Sequence, residues 1–125
     1  VVPGLYRYIG LKHALMRLEA PEDIAGLLTE ACLRQDQVSE SAVTFFWVAV
    51  AERMTWRYPE RGYRYLHLDA GHICQNLYLA AEAIGCGVCA IAAFDDVLAN
   101  EALGVDGEAQ FLVYAATVGR RGSNA

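Results

Sequence analysis

No stretch of this sequence stays apolar and uncharged for the roughly 20 residues that a membrane-spanning helix needs. Nor does the N-terminus, Val1-Val2-Pro3-Gly4, carry the basic segment and apolar stretch of a secretory leader. A soluble, cytoplasmic chain without a membrane partner is expected. Positive charge is short as well: 10 Lys and Arg against 15 Asp and Glu give a net charge of -5, which excludes the broad basic field of a nucleic-acid binder. What basic charge there is gathers at Arg53, Arg57, Arg61 and Arg64, enough to hold one phosphate. Internal repeats and low-complexity segments are absent, and 125 residues leave room for a single domain over 1–125. The four cysteines, Cys32, Cys74, Cys86 and Cys89, do not make a small secreted scaffold, so reduced thiols are expected. The chain opens without methionine, directly into strand-like sequence, as a piece of something longer would.

What is present is a set of short elements around one over-apolar helix. Residues 5–9 alternate like a strand, and with Gly10 and the run 13–18 they predict a β-hairpin. Pro21-Glu22-Asp23 starts a helix in which Ile24, Leu27, Leu28, Ala31 and Cys32 recur at helical spacing, its acidic start suiting the positive end of the dipole. Residues 35–40 read as a polar connection. Residues 42–51 carry no charge and many β-branched and aromatic side chains, as expected of a central strand buried on both faces. A short helix or turn over 52–58 precedes a long helix over 62–84 that Gly85 stops. A strand at 88–94, a helix at 95–103 closed by Gly104, a strand at 109–118 and a polar tail from 119 complete the chain. The order predicts an α+β fold, a mixed or antiparallel sheet flanked by helices with the long helix central. Within residues 66–84 the polar interruptions are His67, Asp69, His72, Gln75, Asn76 and Glu82, so this helix must be covered nearly all round, by the rest of the domain or by a partner subunit.

Several constellations carry chemistry, and each has a plainer reading beside it. Cys86-Gly87-Val88-Cys89 has the spacing of a metal or redox dithiol module, yet it follows a helix where a redox pair opens one, and buried inert thiols are the plainer expectation. No metal site is expected. His67 and His72 stand five apart, not at the i, i+4 spacing of a helical metal pair, which leaves His72 as a core or interface hydrogen-bonder. Asp69 and Glu82 each lack a second carboxylate at a helical neighbour position. The run Arg57-Tyr58-Pro59-Glu60-Arg61-Gly62-Tyr63-Arg64-Tyr65 alternates cations with rings, as a solvated entry loop also does.

Residues 56–88, WRYPERGYRYLHLDAGHICQNLYLAAEAIGCGV, resemble the signature of the nitroreductase family, in particular its SagB-type dehydrogenase branch. There an R-A-Y-R-Y element leads into an L-D-A-G-H-x-x-Q-N-L-x-L-A-A-x-A-x-G-x-G helix. Pro3-Gly4-Leu5-Tyr6-Arg7-Tyr8 with His13-Ala14-Leu15 resembles the preceding strand pair. Phe94-Asp95-Asp96, the run 104–108 and Val118-Gly119 resemble the closing segment. Family domains begin with a further segment, with basic residues for a flavin phosphate and a proline–serine–glycine turn, which this sequence does not contain. The resemblance therefore implies the C-terminal portion of a nitroreductase-like domain, N-terminally incomplete.

The resemblance further implies an oxidoreductase: FMN held at a homodimer interface, hydride passing through flavin N5 to or from a small organic substrate, and NAD(P)H as a possible electron donor. It places the turn 90–94 against the flavin, with a backbone N–H of Ala92 or Ala93 facing N5. Gly87, the last glycine of the helix pattern, joins them among the cofactor-binding candidates, as do Arg120 and Arg121 as phosphate contacts. A lysine–tyrosine pair serves catalysis in heterocycle-forming members, and Arg57-Tyr58 stands at that place. Arginine, with a pKa above ~12, is no neutral base near pH 7, so the implied roles are proton exchange for Tyr58 and holding of an anion for Arg57. The competing readings are a non-catalytic dimeric fragment that binds no flavin and a metal or dithiol module at Cys86 and Cys89.

Overall fold

The computed structural model describes residues 1–122. Two strands, β1 (Tyr6–Ile9) and β2 (Ala14–Arg17), form an antiparallel hairpin across a 3-10 turn at Gly10–Lys12. There follow α1 (Ile24–Ala31), α2 (Asp36–Glu40), β3 (Val43–Val50), α3 (Glu52–Thr55), α4 (Arg61–Ala83), β4 (Cys86–Ile91), α5 (Asp96–Leu103) and β5 (Gln110–Arg120). The last three strands make a second antiparallel sheet in the order β3-β5-β4. This is the expected α+β fold, with both sheets antiparallel. One face of the three-stranded sheet carries α4, which touches β4 and β5. The other packs on α1 and α5 through Ala31, Cys32, Ala99, Ile91, Leu112 and Ala115, with Phe46 and Phe94 filling the margin.

Local chemistry sets most element ends. The Asp23 carboxylate accepts the N–H of Gly26 at the start of α1, and that of Asp95 accepts the N–H of Leu98 at 2.9 Å at the start of α5. Gly104 closes α5 at φ 72° and Gly85 turns the chain from α4 into β4 at φ 73°. Both conformations suit a residue without Cβ.

Four expectations change. The central strand is β5, while β3 is an edge paired on one side alone. The reason is bulk: Ala115, Ala116 and Thr117 let helices approach both faces of β5, whereas Phe45 and Trp47 of β3 need the room of a margin. Residues 36–40 form a helical turn in place of a connection, opened by Asp36. Strand β4 occupies 86–91 and leaves 92–94 outside the ladder. Strand β5 runs into the expected tail, because Gly119 and Arg120 still pair with Gly87 and Cys86.

The helix α4 is not covered all round within this chain. It turns Gly62, Ala70, Cys74 and Ala81 inward, while Leu68 at 51% and Leu79 at 62% remain exposed, as does Ile73.

A β-bulge shapes the core beneath α5. Trp47 pairs with Tyr114 but Val48 with Leu112, so Val113 is an extra residue on β5. The parity shift lets Leu112 and Ala115 point to the same side, where both join the α1–α5 core. Next to the bulge, the Leu112 N–H donates to the buried Asn100 carboxamide Oδ1 at 2.8 Å. Replacing Asn100 with alanine leaves that N–H without its acceptor. Urea unfolding of Asn100→Ala is expected to show a loss of about 1–3 kcal/mol with the m-value unchanged; a loss within experimental error would discount this bond.

Candidate active site

The residues singled out by the sequence fall in two regions. At the turn from α4 into β4, Gly87 and Gly119 face each other across the β4–β5 ladder, with Arg120 opposite Cys86. The Arg121 side chain lies over Gly87 and forms an ion pair with Glu82 of α4. Arg120 is exposed and forms no ion pair among the described residues, so it is the less committed of the two cations.

Ala92 and Ala93 lie at the far end of β4. They are exposed and small, on a linker held at both margins: Gln35 Nε2 donates to the Ala93 carbonyl at 2.9 Å and the Asp95 N–H donates to the Ala31 carbonyl at 2.8 Å. The N–H groups of Ala92 and Ala93 donate to no acceptor among the described residues. One residue pair back, the Ala90 N–H is taken by the Tyr78 hydroxyl of α4 at 3.0 Å. The linker therefore offers free backbone donors next to an ordered strand, which fits a hydrogen-bond acceptor on a flat ring such as a flavin nitrogen.

Arg57 and Tyr58 belong to the second region, the corner between α3 and α4. The Arg57 guanidinium lies 5.5 Å from the Tyr58 ring centroid, and that ring meets Tyr65 edge-on at 5.0 Å. Both residues are exposed. The corner leaves the sheet near Ala51, whose N–H bonds Ala109, while Ile91 pairs with Ala115. Six residues of β5 separate these points, about 20 Å at ~3.3 Å per residue. One chain thus gathers Gly87, Arg120 and Arg121 at one end of β4 and Ala92 and Ala93 at the other, and it sets Arg57 and Tyr58 apart from both.

Tyr58 has companions that sequence reasoning passed over. With Met54, Tyr65, Leu68, Asp69 and His72 it lines a shallow cavity of about 420 Å³ that is open to solvent. His72 is exposed rather than a core residue, and its Nδ1 lies 2.7 Å from the Leu68 carbonyl oxygen. The available signal was the i, i+3, i+4, i+7 spacing of Tyr65, Leu68, Asp69 and His72, which puts all four on one helical face.

The thiols divide differently from expectation. Cys32 and Cys74 are buried, but Cys86 is half-buried and Cys89 exposed. Three apart on an extended strand, Cys86 and Cys89 point to opposite faces with Cα atoms about 10 Å apart, beyond the ~7 Å limit of a disulfide. No cluster of three or more His, Cys, Asp or Glu side chains suited to a metal occurs among the described residues. Burial pushes the Cys32 and Cys74 thiols up, and Tyr114 as well, there with help from neighbouring Cys74, Tyr78 and Cys89. A raised thiol holds less thiolate at any given pH. Alkylation at mildly alkaline pH should therefore modify Cys89 first and Cys32 and Cys74 about tenfold or more slower, until the protein unfolds. Mass mapping that found all four thiols equally reactive would contradict this burial order.

Comparison with known proteins places the chain. A Methanocaldococcus jannaschii protein provisionally named a nitroreductase is 35% identical over 96 residues, which are 77% of this chain and 48% of that protein. A crystal structure from Anabaena variabilis, also provisionally named a nitroreductase, superposes with a TM-score of 0.83 at 33% identity, over 95% of this chain and 24% of the other. The NADPH:FMN oxidoreductase of Vibrio harveyi, solved with NAD+, shares the fold at a TM-score of 0.70 and 20% identity, over 85% of this chain and 49% of that one. The chain thus spans about half the length of the curated relative it matches. The model of the nitroreductase family matches residues 6–120, from the first strand of the hairpin to the end of β5, and the chain belongs to that family.

Proposed function

We propose that residues 1–125 are the C-terminal portion of an FMN-dependent oxidoreductase domain of the SagB-dehydrogenase type, which works as a homodimer on a small organic substrate. The observation that carries this reading is the exposed linker after β4, whose Ala92 and Ala93 N–H groups have no acceptor among the described residues. In a family whose fold is shared by an NADPH:FMN oxidoreductase, such donors suit a flavin ring nitrogen. Bound FMN supplies two-electron hydride chemistry, with NAD(P)H as a suitable donor. The chain's own residues do the rest. Ala92 and Ala93 orient the ring from the backbone, Gly87 leaves the start of β4 open, and Arg120 offers a cation to the phosphate. Arg121 joins it on release from Glu82. At the corner, Arg57 holds an anionic group and Tyr58 exchanges a proton at its hydroxyl. The reading as a dimer rests on α4, whose exposed Leu68, Ile73 and Leu79 need cover from outside these elements.

Titrating the chain into FMN tests the cofactor reading: saturable quenching of flavin fluorescence is expected, with Arg120→Ala weakening binding about tenfold, or ~1.4 kcal/mol, for one lost charge-assisted contact. Flavin that stays unquenched throughout favours the non-catalytic fragment instead. Sedimentation equilibrium separately tests the dimer; a species of twice the chain mass is expected at micromolar concentration, and a stable monomer rules against α4 as the interface.

A further inference from the structure

The cavity at the α3–α4 corner holds more acid–base chemistry than Tyr58 alone. Tyr65, Leu68, Asp69 and His72 form its floor along one face of α4, and Met54 and Tyr58 form the opposite wall. It is shallow and open to solvent, so a flat ring would lie along the helix face instead of entering it. Two tyrosine rings, a methionine and a leucine provide apolar walls, and one carboxylate, one imidazole and the tyrosine hydroxyls provide the polar groups.

Which nitrogen of His72 is available follows from the backbone. Its Nδ1 is 2.7 Å from the Leu68 carbonyl oxygen, which can only accept, so Nδ1 carries the proton and donates it. In the neutral ring Nε2 is then a bare acceptor. Asp69 stands three residues earlier on the same face of the helix. The Arg57 guanidinium lies 5.5 Å from the centroid of the Tyr58 ring and is a permanent cation.

We propose that this cavity binds a planar aromatic compound bearing a weakly acidic O–H or N–H, and that His72 accepts that proton at Nε2. The ligand's O–H or N–H bond breaks, an Nε2–H bond forms, and the ligand becomes an anion while His72 becomes an imidazolium; no electrons are transferred. As a step in an oxidoreductase reaction this rests on the function proposed above. There it gives His72 the base role that an arginine at position 57 cannot fill.

The test uses 7-hydroxycoumarin, whose absorption separates phenol from phenolate, in buffer at a pH below its own pKa and without flavin or electron donor. The expected result is saturable binding with a several-fold higher phenolate fraction than the free probe shows at that pH. His72→Gln should still bind the probe within a few-fold but return the phenolate fraction to the free value. Long-range proton–nitrogen NMR correlations on the unmodified protein should show Nδ1 of His72 protonated and Nε2 bare. Absence of saturable binding, an undiminished phenolate band in His72→Gln, or a bare Nδ1 would each overturn the proposal. FMN quenching measured on the same preparation keeps the two readings apart. Flavin bound with no ionised probe sinks this one alone; probe bound and ionised without flavin binding sinks the oxidoreductase reading alone.

Discussion

Close approach to a strand of small residues is the constraint on which the rest of this structure depends. At the centre of β5, Ala115 and Ala116 are both 0% exposed although they point to opposite faces. Helices cover both sides of a sheet only three strands wide, and because the centre of β5 adds only methyl groups, larger neighbours such as Ile91, Phe46 and Phe94 fill the space beside it. Packing at crystal-like density makes such a site intolerant of added volume, with overpacking costing roughly 1–3 kcal/mol. The bulge at Val113 serves the same core, since it brings Leu112 into phase with Ala115. Asn100 then accepts the Leu112 N–H beside it.

The same constraint determines what α4 shows to the outside. Ala70, Cys74 and Ala81 face inward as small residues toward the sheet, while Gly62 is small where α4 meets Met54 and Thr55 of α3. The bulkier apolar residues of α4 are left to point away. Leu68 and Leu79 share the outward face and Ile73 lies on its flank; each is already about half buried, so covering the remainder would contribute on the order of 1 kcal/mol apiece toward association. The hairpin β1–β2 is in a related position. A two-stranded ribbon is marginal by itself, and Tyr8, Leu15 and Met16 are exposed on it. Both surfaces lie in a chain that spans about half of its curated relative.

Features set by local chemistry were legible in the sequence. Asp95 and Gly104 bracket α5 as a cap and a left-handed stop, Gly85 ends α4, and alternation marks the hairpin, because each depends on a few neighbouring residues. Strand order was not legible, since an uncharged aromatic run reads alike at the centre of a sheet and at an open edge. The candidate site divides the same way. Arg57-Tyr58 stood out by position in a long motif, but Asp69 and His72 were weighed one at a time, as a lone carboxylate and as one of two mismatched histidines. Their meaning comes from Tyr65 and Leu68 on the same helical face and from the chain folding Tyr58 back over them, which no local spacing encodes.

The geometry also ties the proposed chemistry to assembly. Along β5, about 20 Å separates the level of Ala92 from the point where the chain turns into α3. Proton transfer requires heavy atoms within hydrogen-bond reach, and hydride transfer requires reacting atoms nearly in contact. The cavity itself reaches along α4 to His72, about 9 Å of helix before Tyr78, whose hydroxyl accepts the Ala90 N–H, so an elongated substrate, or contact with a second surface, would join the corner to the linker. The surface with most to gain from such a contact is the outward face of α4, which begins at the corner and runs past the sheet to the turn before β4. Leu68 belongs to both features, lining the cavity and standing on the exposed face, so burying that face would cover the cavity in the same step. Cover over that face would also exclude water from the cavity, where charged groups then act more strongly on one another, so the proposed proton transfer would be strengthened by association through α4.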